Sequence, residues 1–86
     1  MVDHAQLIQI LNAGTLVVGM HKTRRSILNG SVSRVVLAMD TEPEYQMMIV
    51  RLCAEHSVPI LKAHSSKELG SLAKIDISAG CIGVLK

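Results

Sequence analysis

The segment Gly19-Met-His-Lys-Thr-Arg-Arg-Ser-Ile-Leu-Asn-Gly30 gathers most of the chain's chemical potential into one short run. At about 100° per residue, Met20, Thr23 and Ile27 fall within about 60° of one another, so one side of a helix built here meets a core. His21, Lys22, Arg25 and Asn29 fall within about 100° on another side, which must face solvent. The basic side chains begin in the first turn and include Arg24, with no carboxylate between Gly19 and Asn29. A helix N-terminus already carries roughly half a positive charge, and each cation there costs a few tenths of a kcal/mol. An anion reverses that sign, because free N–H groups, the dipole and the basic side chains then all point at one phosphate. Two readings stand at this point: a solvated basic helix face, or a helix start that holds phosphate.

Other residues supply less. Cys53 and His56 have the spacing of metal ligands on one helix. Two ligands do not make a site, no second close pair exists, and Cys53 belongs to an apolar stripe, so neither zinc nor any cofactor is expected. Asp40 followed by Thr41 has the placement of a catalytic carboxylate at a strand end, but a turn-and-cap role fits the pair better. Nothing matches GxGxxG or GxxxxGK(S/T), and no serine or cysteine sits in a nucleophile motif. Enzymatic activity is therefore not expected.

The elements that must position these residues follow from periodicity and caps. Asp3, with Gln6 three residues on, opens a helix whose Ala5, Leu7, Ile8 and Leu11 recur at helical spacing, and Gly14 stops it. Residues 15–18 are a short β-branched run and read as a strand. A second helix runs from Met20 to about residue 29, closed by Gly30. Residues 34–39 read as a buried strand. Thr41 is expected to cap the third helix, with Glu44 as its capping-box partner and Pro43 in the first turn. Tyr45, Met48, Ile49, Leu52 and Cys53 make that helix the clearest amphipathic stripe in the chain. Residues 58–63 form a strand with Pro59 near its start. Ser65 and Glu68 form another capping box, opening a short helix to about residue 73. A loop over 74–80 leads to a last strand over 81–85. Four helices alternating with four short strands argue for an α/β fold with the sheet sandwiched between helices.

Composition sets limits. The chain has 86 residues, enough for one domain over 1–86 with one modest core. Tyr45 is the only aromatic residue, so the stacking platforms of RRM domains and OB-folds are excluded. A net charge of +2 is too small to give strong nonspecific binding to nucleic acid. Cys53 and Cys81 sit singly in apolar contexts and read as reduced, buried thiols. The first ten residues lack the pattern of a signal peptide, and no apolar run reaches the roughly 18 residues of a membrane helix. A soluble, cytoplasmic protein, monomeric at micromolar concentration, is expected.

Five blocks carry a resemblance. Gly19, Thr23, Arg25 and Ile27 stand where the kink-turn-binding L7Ae family of ribosomal proteins has glycine, threonine, lysine and leucine in the signature helix of its small bacterial members. Val35-Val-Leu-Ala-Met-Asp40-Thr-Glu-Pro43 is similar to the family's apolar strand and Ala-x-Asp-x-x-Pro turn. Leu52-Cys53 with His56-Ser-Val58-Pro59, then Lys67-Glu-Leu69-Gly70, then Ile75-Asp76-Ile77-Ser-Ala79 resemble three further blocks, in order, over about residues 15–85. The resemblance implies a three-layer α/β/α sandwich. It also implies a partner, structured RNA containing a kink-turn, with ribosomal RNA and the ribosome as its setting. The sheared G·A pairs would be read by Gly19, Met20, His21, Lys22, Arg24 and Arg25. A flipped-out nucleotide would lie against Ile75, Asp76, Ile77, Ser78 and Ala79. His21-Lys22 replaces the Asn-Glu pair of archaeal members, which removes an acceptor for guanine edges and leaves phosphate contact at Lys22. Arg25 brings a planar fork of donors suited to a guanine edge or a phosphate. Ile75 and Ile77 suit either an unstacked base or core anchoring of their loop. An adaptor or accessory domain of the same fold, meeting an acidic partner with its basic helix, is the alternative.

Overall fold

The computed structural model describes residues 4–75 and 78–86. The expected cap at Asp3 and the loop residues Asp76 and Ile77 lie outside the described residues. The elements are α1 (His4–Leu11), β1 (Leu16–Val18), α2 (Met20–Leu28), β2 (Val32–Ala38), α3 (Pro43–Glu55), β3 (Ile60–Ala63), α4 (Ser66–Leu72) and β4 (Cys81–Leu85). They form one mixed sheet in the order β1-β4-β2-β3. β2 pairs in parallel with β3, and β4 runs antiparallel to both β1 and β2. The carboxyl ends of β1, β2 and β3 and the amino end of β4 therefore share one edge of the sheet.

Alternation along the strands divides the core into two layers. Val36, Ala38, Ala63 and Ile82 pack with Leu7 and Leu11 of α1 and Leu69 of α4. Val35, Leu37 and Cys81 pack with Ile27 of α2 and Ile49 and Cys53 of α3. The result is the three-layer α/β/α sandwich, with α1 and α4 on one face and α2 and α3 on the other. β2 starts two residues before the expected strand because its register shifts between Val32 and Arg34. That bulge puts Val32 and Val35, three residues apart, into the same layer.

The start of α3 departs from expectation. Its N-cap is Glu42, in extended backbone, with no side-chain cap bond. A residue before proline is pushed out of the helical region, so Pro43 prevents the helix from starting at Thr41. The Thr41 hydroxyl instead donates to the Ala38 carbonyl at 2.9 Å. Gln46 Nε2 donates to the carbonyls of Met39 (3.1 Å) and Thr41 (2.7 Å), which fixes the β2–α3 turn from inside α3. β3 begins at Ile60 rather than 58, because Pro59 has no N–H to give to a ladder; its carbonyl accepts from Val35 N–H. The Ser65 cap forms as expected, accepting from Glu68 N–H at 3.1 Å. Asp40 adds a second anchor, with one carboxylate oxygen accepting from Ser66 N–H (2.9 Å) and Ser66 Oγ–H (2.7 Å). Asp40 thus ties two loops at the same sheet edge and takes the turn-and-cap role. No helix among the described residues is long and apolar enough to cross a membrane.

Candidate nucleic-acid interface

Helix α2 is held against the sheet by Thr23 and Ile27, whose side chains are 0% and 1% exposed. Gly83 of β4 permits that closeness. A Cβ there would meet Val17 Cγ2 at 3.0 Å and Thr23 Cγ2 at 3.4 Å. The helix start is fixed by Gly19, whose N–H donates to the Cys81 carbonyl at 3.0 Å. Gly19 has φ 95° and ψ 162°, a backbone region open essentially to glycine. A Cβ at Gly19 would point into open space.

The first bond inside α2 runs from Thr23 N–H to the Gly19 carbonyl. The amides of Met20, His21 and Lys22 precede it, and no side chain caps them. His21, Lys22, Arg24 and Arg25 are all exposed. His21, Arg24 and Arg25, with Leu28, surround an open hollow of about 280 Å³. Met20 is half-buried against the α2/α3 layer of the core, so its side chain supports the helix more than it presents a surface. The basic face does not all sit at the unfavourable end. α2 has only nine residues, and Arg25 falls in its last turn, where the dipole favours a cation. Lys22 is the cation placed against the dipole.

The loop before β4 meets this helix start at the Gly19–Cys81 bond. Ser78 is exposed. Ala79 is 3% exposed and packs in the α1/α4 layer, with its N–H donating to the Ser66 carbonyl. Ile75 is half-buried against the same layer. Ile75 and Ala79 thus help to close the layer over α4. A nucleotide at Ala79 would meet backbone, not its methyl group.

Tyr45 contributes to the site in a way its place in an apolar stripe does not reveal. Its hydroxyl donates to Cys81 Sγ at 3.2 Å. A Cβ on Gly80 would stand 2.8 Å from Tyr45 Oη and 3.1 Å from Thr41 Cγ2. The ring therefore buttresses the loop backbone at Gly80 and the residue that accepts from Gly19. Burial pushes the Cys81 thiol up, and the hydrogen bond from the Tyr45 hydroxyl pulls it part of the way back. Burial, reinforced by the bond to Cys81 and by its charge, raises Tyr45 as well. Cys53 is pushed up to about 11, first by burial and then by Cys81. All three groups are neutral at neutral pH, so the charge of the site comes from α2. A thiol held protonated in the core is also a poor metal ligand, and His56 is the exposed residue that caps the carboxyl end of α3. Among the described residues no group of three metal-ligating side chains exists.

Residues 4–86 match the model of the ribosomal protein L7Ae/L30e/S12e/Gadd45 family. An RNA-binding protein of Geobacillus sp. (strain WCH70) is 31% identical over 78 residues, which span 91% of this chain and 95% of that protein. The small ribosomal subunit protein eS12y of Arabidopsis thaliana is 37% identical over 67 residues, or 73% of this chain and 46% of that one. Among solved structures, the Giardia lamblia 15.5kD RNA binding protein aligns with a TM-score of 0.81 over 96% of this chain and 70% of that chain. Its identity is 17%, so that likeness speaks for the fold. With the α/β/α sandwich, the glycine-started basic helix and the family match in agreement, the chain belongs to the ribosomal protein L7Ae/L30e/S12e/Gadd45 family.

Proposed function

We propose that this protein binds structured RNA and recognises kink-turns through the start of α2 and the loop before β4. One observation carries the reading: an uncapped helix start, free of carboxylates and flanked by exposed His21, Lys22, Arg24 and Arg25, abuts the 78–80 loop through the Gly19–Cys81 bond. The exposed amides and cations suit phosphate oxygens on the sharply bent strand. Arg25 supplies the donor fork for a guanine edge or a second phosphate. Gly19 lets the RNA backbone come close to the helix start. Exposed Ser78, with Asp76 and Ile77 beside it in sequence, supplies the contact to the flipped-out nucleotide. The relatives named as RNA-binding and ribosomal proteins support the same reading. The protein works in the cytoplasm without catalysis or cofactor, one chain per kink-turn, on ribosomal RNA or RNA associated with the ribosome. Crosslinking the protein to RNA in cells, then sequencing the attached RNA and mapping the attached peptides, tests this. Kink-turn elements joined to peptides from α2 and the 74–80 loop are expected. Crosslinks spread over unrelated RNAs, or confined to other surfaces, would overturn it.

A further inference from the structure

Helix α3 has a second apolar stripe on the side away from the core. Pro43, Met47, Val50 and Ala54 are all exposed, with Met47 at 63% and Val50 at 42%. Their spacing is four, three, four, the a/d pattern of a helix seam. That pattern reads the same in both directions. An identical helix laid antiparallel would set Met47 against Val50 and Pro43 against Ala54, and each contact would occur twice. A two-fold interface has this self-complementarity.

The charges agree with the spacing. Glu44 and Arg51 lie on one flank of the stripe, seven residues apart, at the positions beside the seam whose counterparts meet across antiparallel helices. Antiparallel pairing brings Glu44 of one copy beside Arg51 of the other, again twice. Among the described residues, neither side chain has an ion-pair partner within its own chain. On the same flank an open groove of about 350 Å³ runs between α2 and α3, floored by Met48 and Leu52 and edged by Arg24 and Glu55. The groove leaves room for the long side chains of a facing helix.

We infer that the outer face of α3 is a docking surface for a second copy of this chain, joined as an antiparallel α3–α3 pair about a two-fold axis between Met47 and Val50. The helix has 13 residues, and one such pair is smaller than the roughly 1,200–2,000 Å² of a stable dimer. The association is correspondingly weak: the chain is a monomer at micromolar concentration and pairs at hundreds of micromolar, or where two copies are held on one RNA. Because α2 and α3 both begin at the same sheet edge, antiparallel pairing turns the two α2 starts toward opposite ends of the dimer. The surface and its pairing do not depend on what α2 binds.

Sedimentation equilibrium of the full chain from about 10 µM to 1 mM tests this, with Glu44→Arg and Arg51→Glu as single variants and as an equimolar mixture. Each variant alone sets like charges across the seam and should stay monomeric over the whole range. The mixture restores opposite charges at every contact, and the dimer should return as a one-to-one heterodimer. Both positions are exposed, and circular dichroism checks that each variant is folded. Wild-type protein that remains monomeric at 1 mM overturns the proposal. So does a dimer that both variants form as well as the wild type, which would place the contact elsewhere, and so does a mixture that stays monomeric.

Discussion

Lys22 and Arg25 carry charge of the same sign but stand at opposite ends of one short helix. Lys22 lies in the first turn of α2, where a cation opposes the dipole, and Arg25 lies in the last turn, where it does not. Lys22→Glu should therefore raise stability by about 0.3–1 kcal/mol while weakening RNA binding, a pairing of signs that a purely structural residue would not show. Urea melts and RNA titrations on the same preparation read both. Arg25→Ala should cost on the order of 1–3 kcal/mol of RNA affinity, as the loss of a bidentate contact would. Its side chain is exposed, so the melting temperature should hardly change; normal RNA binding by this variant would remove Arg25 from the interface. These bases were legible in the sequence because they lie in one run whose faces follow from helical geometry. The buttress under them was not. Tyr45 and Cys81 are 36 residues apart, and no local pattern links an amphipathic stripe on one helix to a thiol at the start of the last strand. The inward packing of Ala79 was hidden for a related reason: a small residue in a loop gives no sign of which way it faces until the layer it closes is known.

At the scale of elements, three helices end in the same way. Gly30, Ser57 and Lys74 have φ of 71°, 56° and 60°. Behind each, the next residue's N–H returns to a carbonyl of the last turn: Ser31 to Ser26, Val58 to Cys53 and Ile75 to Gly70. Only the first of these ends is a glycine, so at the other two the left-handed turn itself carries no mark in the sequence. Left-handed backbone costs a residue with a Cβ roughly 1–2 kcal/mol, offset in glycine by about 0.5–1 kcal/mol of extra unfolded-chain entropy. Ser57→Gly, far from the α2 start in the chain, should stabilise by about 0.5–1 kcal/mol, measured by urea denaturation, with RNA affinity unchanged. A loss of stability would mean that the Ser57 side chain makes a contact beyond those seen. The order of helices and strands was readable throughout, because each apolar run is bounded by a turn or a cap. The larger boundary shifts lie at proline and at the bulge: Pro43 holds Glu42 extended and displaces the cap from Thr41, and the register shift at Val32 lengthens β2. The pairing of the strands, with β4 between β1 and β2, lies beyond local patterns, since it depends on which apolar faces close over one another.

The whole molecule is built around a core whose two thiols must stay protonated. The Cys53 thiol moves from 9.0 to about 11 on folding, and burial raises Cys81 too. A raised thiol pKa favours the folded state fully below the unfolded value and loses that contribution as pH rises toward the folded one. Stability should therefore be level with respect to these groups up to about pH 8 and fall from pH 9 toward 11, by up to roughly 1.4 kcal/mol per unit for each thiol that ionises only in the unfolded chain. Denaturant melts at half-unit intervals check this, and stability that rises over the window would contradict the buried, neutral thiols. On its surface the molecule carries a net charge of only +2, too little to hold RNA by charge alone at physiological salt. Affinity must then come from RNA shape, and binding to a kink-turn measured beside two controls tests that claim most directly: a plain duplex of equal length, and the same kink-turn with its G·A pairs replaced by Watson–Crick pairs. The intact kink-turn should bind at least tenfold more tightly than either control, a difference of about 1.4 kcal/mol or more. Equal affinity for all three RNAs would contradict it.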